Sequence, residues 1–452
     1  MAWDTRLPCE TGYTLSPRLP FLKTSGSLAA TAATQPAMIP TMSDRRYRVL
    51  ILTTHVIPYA SPNYRALAED PRLETVVAYC SLQGAEPGMD PEFGVQIQWD
   101  VPLLDGYKWV HVPNKSLRPR LAHFWGVWNP GLWKLVRTGG FDAVVIYTGY
   151  MCASFWLTVL AAKSVGIPVL ISTDSTALQS REGKRWKESL KPFILRRVYS
   201  FVDVIMAASN ASRKLAMELG ISEKRIRVIR CGVDKESWLQ RQEGADRRAV
   251  RASWDVPASA PVVLFCAKLQ PWKRPLDLLE AFSKADLPCV YLVLAGEGPQ
   301  RGEVEARVRA LGLTERVRVL GFVNASQLPG IYRAADIFVL PSAYDPCPLV
   351  VPEAMFSGLP VILSDAVLGR LEMIDSGKSG YLYPCGDIGS LAGILKNIFT
   401  DTQRLQQLKE GVRRQMESWT TKEFLDCWFG AVDTAVHLRR SSVPADQGVI
   451  QL

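Results

Sequence analysis

The stretch Asp345-Pro-Cys-Pro-Leu-Val-Val-Pro-Glu353 sets one carboxylate at the end of a loop and a second in the first turn of a helix. Upstream, Ala335-Asp-Ile-Phe-Val-Leu-Pro-Ser342 reads as a short buried strand ending in turn residues. Downstream, Ala354-Met-Phe-Ser-Gly-Leu-Pro-Val361 gives helix, glycine stop and another strand. In an open parallel sheet built from such units, ligands bind beyond the strand C-termini, where free N–H groups at helix starts suit phosphates. Carboxylates in that position suit hydroxyls instead, because each accepts paired bonds from a vicinal diol. One can hold a ribose and the other a hexose, while N–H groups between them face a diphosphate. On the two residues alone, Asp345 as a helix cap and Glu353 as first-turn decoration fit as well.

The flanking text narrows the choice. Lys268-Leu-Gln-Pro-Trp-Lys273 brackets a tight loop before a helix opening near Pro275. Two cations at a helix N-terminus oppose its dipole unless an anion sits between them, which favours a diphosphate. Leu294-Ala-Gly-Glu-Gly-Pro299 and Gly321-Phe-Val323 are strand-end turns, each weak evidence by itself. Taken together and in order, from about Val262 to about Asp387, these stretches resemble the C-terminal half of the retaining glycosyltransferases of family 4, of GT-B fold.

The resemblance implies an α/β chain with two doubly wound, Rossmann-like domains facing across a cleft. It also implies a C-terminal helix returning to the first domain, for which Lys422 to Leu438 is the candidate. By the same resemblance Lys268 and Lys273 neutralise the departing nucleoside diphosphate, where fixed positive charge lowers the barrier most. Glu297, Phe322 and Val323 lie near the nucleoside, Leu349 and Val350 line the donor site, Glu353 grips the ribose, and Asp345 meets the donor hexose. The chain departs from the family at several of these points. Asp345 stands for the first glutamate, Cys347-Pro348 for Phe-Gly, and Lys268 for arginine. Pro348 has no N–H to offer the donor. In the first domain the turn Thr54-His-Val-Ile-Pro-Tyr-Ala-Ser61 lacks paired glycines, and the family's histidine position falls on Asp174. Asp174 is a candidate to bond a hydroxyl or act as a base, or else to cap the next helix. A lone histidine such as His55 is more often structural.

A chain of 452 residues, 48% apolar, can bury large cores in about two domains. Residues 1–44, rich in Ala, Thr, Ser and Pro, are expected to be disordered or an extension ahead of a start at Met42. Residues 45–240 read as the first domain, 241–420 as the second, and 421–452 as the returning helix and tail, with a polar linker from about Asp234 to Ala260. A net charge of +9, without a nucleic-acid motif, points to phosphate ligands or an anionic membrane. Basic residues interleave with aromatics in 118–128 and 181–197, a pattern that suits a membrane interface as well as a solvated face. Nine scattered cysteines without a Cys-x-x-Cys pair indicate neither zinc nor disulfides and fit a reducing cytoplasm.

The expected activity is transfer of a hexose from a nucleoside diphosphate sugar to a hydroxyl of a glycan, a lipid-linked acceptor or a small molecule, with retention. No separate cofactor and no metal are expected, since no Asp-x-Asp motif is present and the lysines can neutralise the diphosphate. Alternatives are a GT-B nucleotide-sugar epimerase, and a catalytically silent sugar-nucleotide binder made thinkable by Asp345, Pro348 and the missing histidine.

Overall fold

The computed structural model describes residues 46–90, 95–120, 123–178, 185–229 and 234–441. The expected N-terminal extension 1–44, the tail 442–452, residues 121–122 of the first basic stretch and residues 181–184 of the second lie outside them. The first domain opens with β1 (Tyr47–Thr53), α1 (Ser61–Glu69), β2 (Leu73–Tyr79), the short pair β3 (Gly88–Asp90) and β4 (Val95–Ile97), and β5 (Lys108–His111). It continues through α2 (Gly131–Thr138), β6 (Ala143–Ile146), α3 (Ala153–Ser164) and β7 (Val169–Thr173). It closes with α4 (Arg185–Ser200), β8 (Val204–Ala207), α5 (Asn210–Glu218) and β9 (Ile226–Val228). The seven-stranded sheet runs β5-β2-β1-β6-β7-β8-β9, parallel throughout, and β3 pairs with β4 antiparallel outside it.

Two helices follow, α6 (Lys235–Glu243) and α7 (Arg247–Ala252), and then the second domain. It contains β10 (Val262–Cys266), α8 (Pro275–Ala285), β11 (Tyr291–Ala295), α9 (Arg301–Ala310), β12 (Val317–Gly321) and α10 (Leu328–Ala334). After these come β13 (Ile337–Leu340), α11 (Val350–Phe356), β14 (Val361–Ser364) and β15 (Gly380–Tyr383), then α12 (Ile388–Thr400), α13 (Thr402–Met416) and α14 (Thr421–Ser441). The six-stranded sheet runs β12-β11-β10-β13-β14-β15, again all parallel.

Strands buried on both faces explain the near-continuous apolar runs that signalled them. Along β1, Val49 and Ile51 enter one core while Leu50 and Leu52 enter the other. Along β10, Val263 and Phe265 part from Val262 and Leu264 in the same way. The expected returning helix is α14, whose Trp428, Phe429, Val432 and Ala435 lie in the first domain's core with Val49 and Ile51. Polar ties hold it there: Arg72 donates to Asp426 at 2.8 Å and Tyr47 to Asp433 at 2.7 Å.

The linker expectation is corrected by the structure. The polar stretch from Asp234 is two helices, and it belongs to the second domain's packing through buried Trp238 and Trp254. Arg251, almost wholly buried, donates to Asp336 at 2.7 Å, as does Arg247 at 2.8 Å, and Lys409 adds a bond of 3.0 Å. Asp336 also accepts the Val262 N–H, so one carboxylate joins α7 and α13 to the start of β10. The strands β3, β4, β5 and β15 were not expected. Each is short, and Lys108-Trp-Val-His111 at the sheet edge carries little apolar signal.

Candidate functional site

Parallel strands bring their C-terminal ends to one side of each sheet, and the loops after β10, β11, β12 and β13 are laced together there by backbone bonds. The Ala267 N–H donates to Ala295, Leu269 to Glu297, Gln300 back to Leu269, Gly296 to Gly321, and Ala343 to Trp272. Glycine is required in this weave: a Cβ on Gly296 would land on the Ala267 carbonyl, and Gly298 adopts φ +155° against Leu269. The Gly-x-Gly turn is thus the mortar between two loops. Glu297 is tied locally, paired with Arg301 and accepting the Gly298 N–H at 3.1 Å.

Lys273 and Asp345, 72 positions apart in the chain, meet as an ion pair of low exposure. The residue expected at the diphosphate and the one expected at the hexose therefore hold each other. Lys268 lies two residues past the buried end of β10, and α8 starts at Pro275 as expected. Its N-cap, Arg274, takes a left-handed conformation and pairs with Asp277 at 2.6 Å. Leu349 is the N-cap of α11 and Val350 its first residue, and the Glu353 N–H donates to the Leu349 carbonyl at 3.1 Å.

Glu353 keeps some surface as a residue, yet its carboxyl is set beside Tyr332 and Cys266, both buried. That burial pushes its pKa up to about 7, against the opposing pull of a hydrogen bond from the Tyr332 hydroxyl, at 3.2 Å, and of the Arg241 charge. The same surroundings drive the Cys266 thiol up to about 12, burial first and the Glu353 charge second. These neighbours were not foreseen, because Tyr332 and Cys266 come from α10 and β10 and nothing local to Glu353 names them.

The first domain contributes less to this cluster. Asp174 stands exposed one residue beyond β7, and the Ser175 N–H folds back onto the Thr173 hydroxyl at 3.2 Å. Contacts between the domains flank the cluster on both edges. On one, Trp99 meets Phe322 edge-on with centroids 5.6 Å apart. There the Asn324 amide donates to the Gln98 carbonyl at 2.7 Å, and Asp100 accepts the N–H and the hydroxyl of Ser326. On the other, Glu372 accepts the Asn210 N–H at 3.0 Å. Among the described residues no group of three or more His, Cys, Asp or Glu side chains is gathered to hold a metal ion, and no helix is long and apolar enough to cross a membrane.

Comparison with known proteins adds to this geometry. Residues 246–415 match the family model described as glycosyl transferases group 1, and residues 38–232 match the one described as a glycosyl transferase 4-like domain. The D-inositol 3-phosphate glycosyltransferase of Rhodococcus erythropolis is 27% identical over 411 residues, covering 84% of this chain and 90% of that protein. The putative glycosyltransferase EpsF of Bacillus subtilis is 30% identical over 245 residues, 53% of this chain and 61% of that protein's length. Among solved structures, Anabaena HepE in complex with UDP and glucose superposes with a TM-score of 0.66 at 19% identity, covering 86% of this chain and 100% of that one.

Proposed function

The chain belongs to the group 1 glycosyltransferases, with the GT-B arrangement of two doubly wound domains, and from that premise we propose that it transfers a hexose, with retention, from a nucleoside diphosphate sugar to an acceptor hydroxyl. The observation that carries this is the meeting of Lys273 with Asp345 at the C-terminal ends of β10 and β13, with Lys268 on the same loop. A cation and a carboxylate side by side suit a donor whose diphosphate and hexose lie side by side. On donor binding Lys273 exchanges the carboxylate for phosphate, and Asp345 turns to the hexose. Glu353 takes the ribose hydroxyls, and the loop of Phe322 and Val323 borders the base. Positive charge developing on the hexose ring is stabilised by Asp345, and the departing diphosphate by the two lysines, with no metal required. The neighbour bound to UDP and glucose supports a uridine nucleotide as the first donor to try.

For the acceptor side, apolar and basic residues are exposed on elements that cover one core of the first domain. Leu117 is 99% exposed, Trp125 65% and Phe193 76%, with Arg118, Arg120 and Arg196 close in sequence. This face suits peripheral contact with the anionic inner surface of a membrane, and a lipid-linked acceptor. Salt-sensitive binding to anionic vesicles supports it, and equal binding to neutral vesicles speaks against it. The enzyme reading itself is tested by a panel of UDP-, GDP- and ADP-hexoses scored for binding and slow hydrolysis, which needs no acceptor. Binding without hydrolysis or transfer across broad acceptors would leave a silent binder.

A further inference from the structure

We infer that Glu372 is a positioning residue that ties the approach of the two domains to the placement of Asp345, an inference that rests on the donor-site reading above. Glu372 lies on the 3-10 turn Leu368–Met373, between β14 and β15. Its carboxylate accepts the backbone N–H of Asn210, the first residue of α5, across the domain gap. Helix N-termini expose unsatisfied N–H groups and carry partial positive charge, so a carboxylate is the matching partner. The neighbouring cap, Ser209, already accepts the Ser212 N–H at 3.2 Å, which leaves the Asn210 N–H for the other domain.

The same turn rests on the loop that carries Asp345. A Cβ on Gly369 would land on the Pro346 carbonyl and come within 3.4 Å of the Cys347 Cα, so backbone packs on backbone there. Val367 and Met373, on either side, are fully buried in the core that also holds Val351 and Met355 of α11. The turn is therefore a short braced piece. At one end it reaches the first domain, and at the other it touches the residue next to Asp345. When the domains approach, the Asn210 N–H seats Glu372, the turn settles on Pro346, and Asp345 is held for the hexose once Lys273 has moved to phosphate.

The test uses the full chain and the variants Glu372→Ala, Glu372→Gln and Asn210→Pro. Proline is tolerated at a first helical position, and Ser209 is already extended (φ −158°, ψ 167°) as a residue before proline must be. Two readouts are taken with the nucleotide of a UDP, GDP and ADP panel that binds: its affinity, and hydrogen exchange across residues 343–350 in the saturated protein. Hydrolysis of the matching nucleotide-hexose is the third. Expected are affinities within about twofold of wild type, faster exchange in 343–350, and turnover down about tenfold in Glu372→Ala and Asn210→Pro. Glu372→Gln keeps an acceptor oxygen and should lose less, and the Glu372→Ala, Asn210→Pro double variant should be no worse than either single. Unchanged exchange in Glu372→Ala, additive losses, or affinity falling in step with turnover would overturn the coupling. A wild-type chain that binds none of the three nucleotides overturns the donor-site reading instead.

Discussion

Replacing Glu353 by glutamine should make the ligand-free protein more stable above neutral pH while weakening its hold on the donor. Burial beside Tyr332 and Cys266 raises the Glu353 pKa from 4.5 to about 7. A folded-state pKa above the unfolded one means that the fold favours the protonated acid. Its contribution is neutral below pH 4.5, and stability is lost as pH climbs from there through 7. The rise corresponds to roughly 3 kcal/mol as an upper bound. Glutamine does not titrate, so Glu353→Gln and wild type should melt together near pH ~4.5, and the variant should melt a few degrees higher at about pH 8. Binding is expected to run the other way. Ribose hydroxyls need an ionised acceptor, so binding of a UDP-hexose should release a proton and be about tenfold weaker at about pH 6 than at about pH 8 in wild type. The variant should lose that pH slope. Thermal melts across pH and calorimetric titrations in buffers of differing ionisation enthalpy measure both. Parallel melting curves, or an identical binding slope in the two proteins, would refute the reasoning.

Lys268→Ala and Lys273→Ala should each weaken nucleoside diphosphate by about tenfold to a hundredfold and free nucleoside hardly at all, since a charge-assisted bond is worth roughly 1.5 to 3 kcal/mol. Equal losses on both ligands would remove them from the phosphate site. Asp345→Asn should lower turnover more than donor affinity, because the carboxylate acts on charge that develops only in the transition state; wild-type turnover with the fold intact would count against it. Asp336→Ala should cost about 3 to 5 kcal/mol, because it strands the buried Arg251. Burial alone would raise the Asp336 pKa, but Lys409 and Arg247 hold it below the ordinary value. The stability it gives is thus present above the usual carboxylate pKa and lost as pH falls through its depressed one. A denaturant melt showing a loss under about 1 kcal/mol would contradict that role.

The sequence made legible what is local. Apolar runs such as Val262–Cys266 and Ile337–Leu340 announced strands because both of their faces are buried. The Asp345 to Glu353 spacing announced a loop entering a helix, which α11 is. What was hidden depends on residues distant in the chain. Lys273 and Asp345 pair across 72 positions, and Glu353 owes its raised pKa to burial among elements distant in the chain, against the pull of Tyr332 and Arg241. The stretch after Asp234 misled because charge dominates its composition, while its buried contacts rest on Trp238, Arg251 and Trp254. Hydrophobic periodicity weighs all apolar residues alike, and two tryptophans cover more area than the surrounding charges suggest.

The helix α14 has a bearing on how each copy of this protein is made. Trp428, Phe429, Val432 and Ala435 belong to the core of the domain that emerges from the ribosome first, yet they are synthesised after the whole second domain. Domains generally fold as units during synthesis, N-terminal first, at about 5 to 20 residues per second. Here the strands β6 to β9, on which α14 packs, must wait through some hundreds of residues, on the order of ten seconds to a minute at that rate, with part of one apolar face uncovered. During that interval the nascent first domain lacks the cover of α14 over Val145, Leu170, Val204 and Met206 of β6, β7 and β8, a surface for chaperones to hold. A stop codon anywhere before Trp428 would leave that face permanently bare.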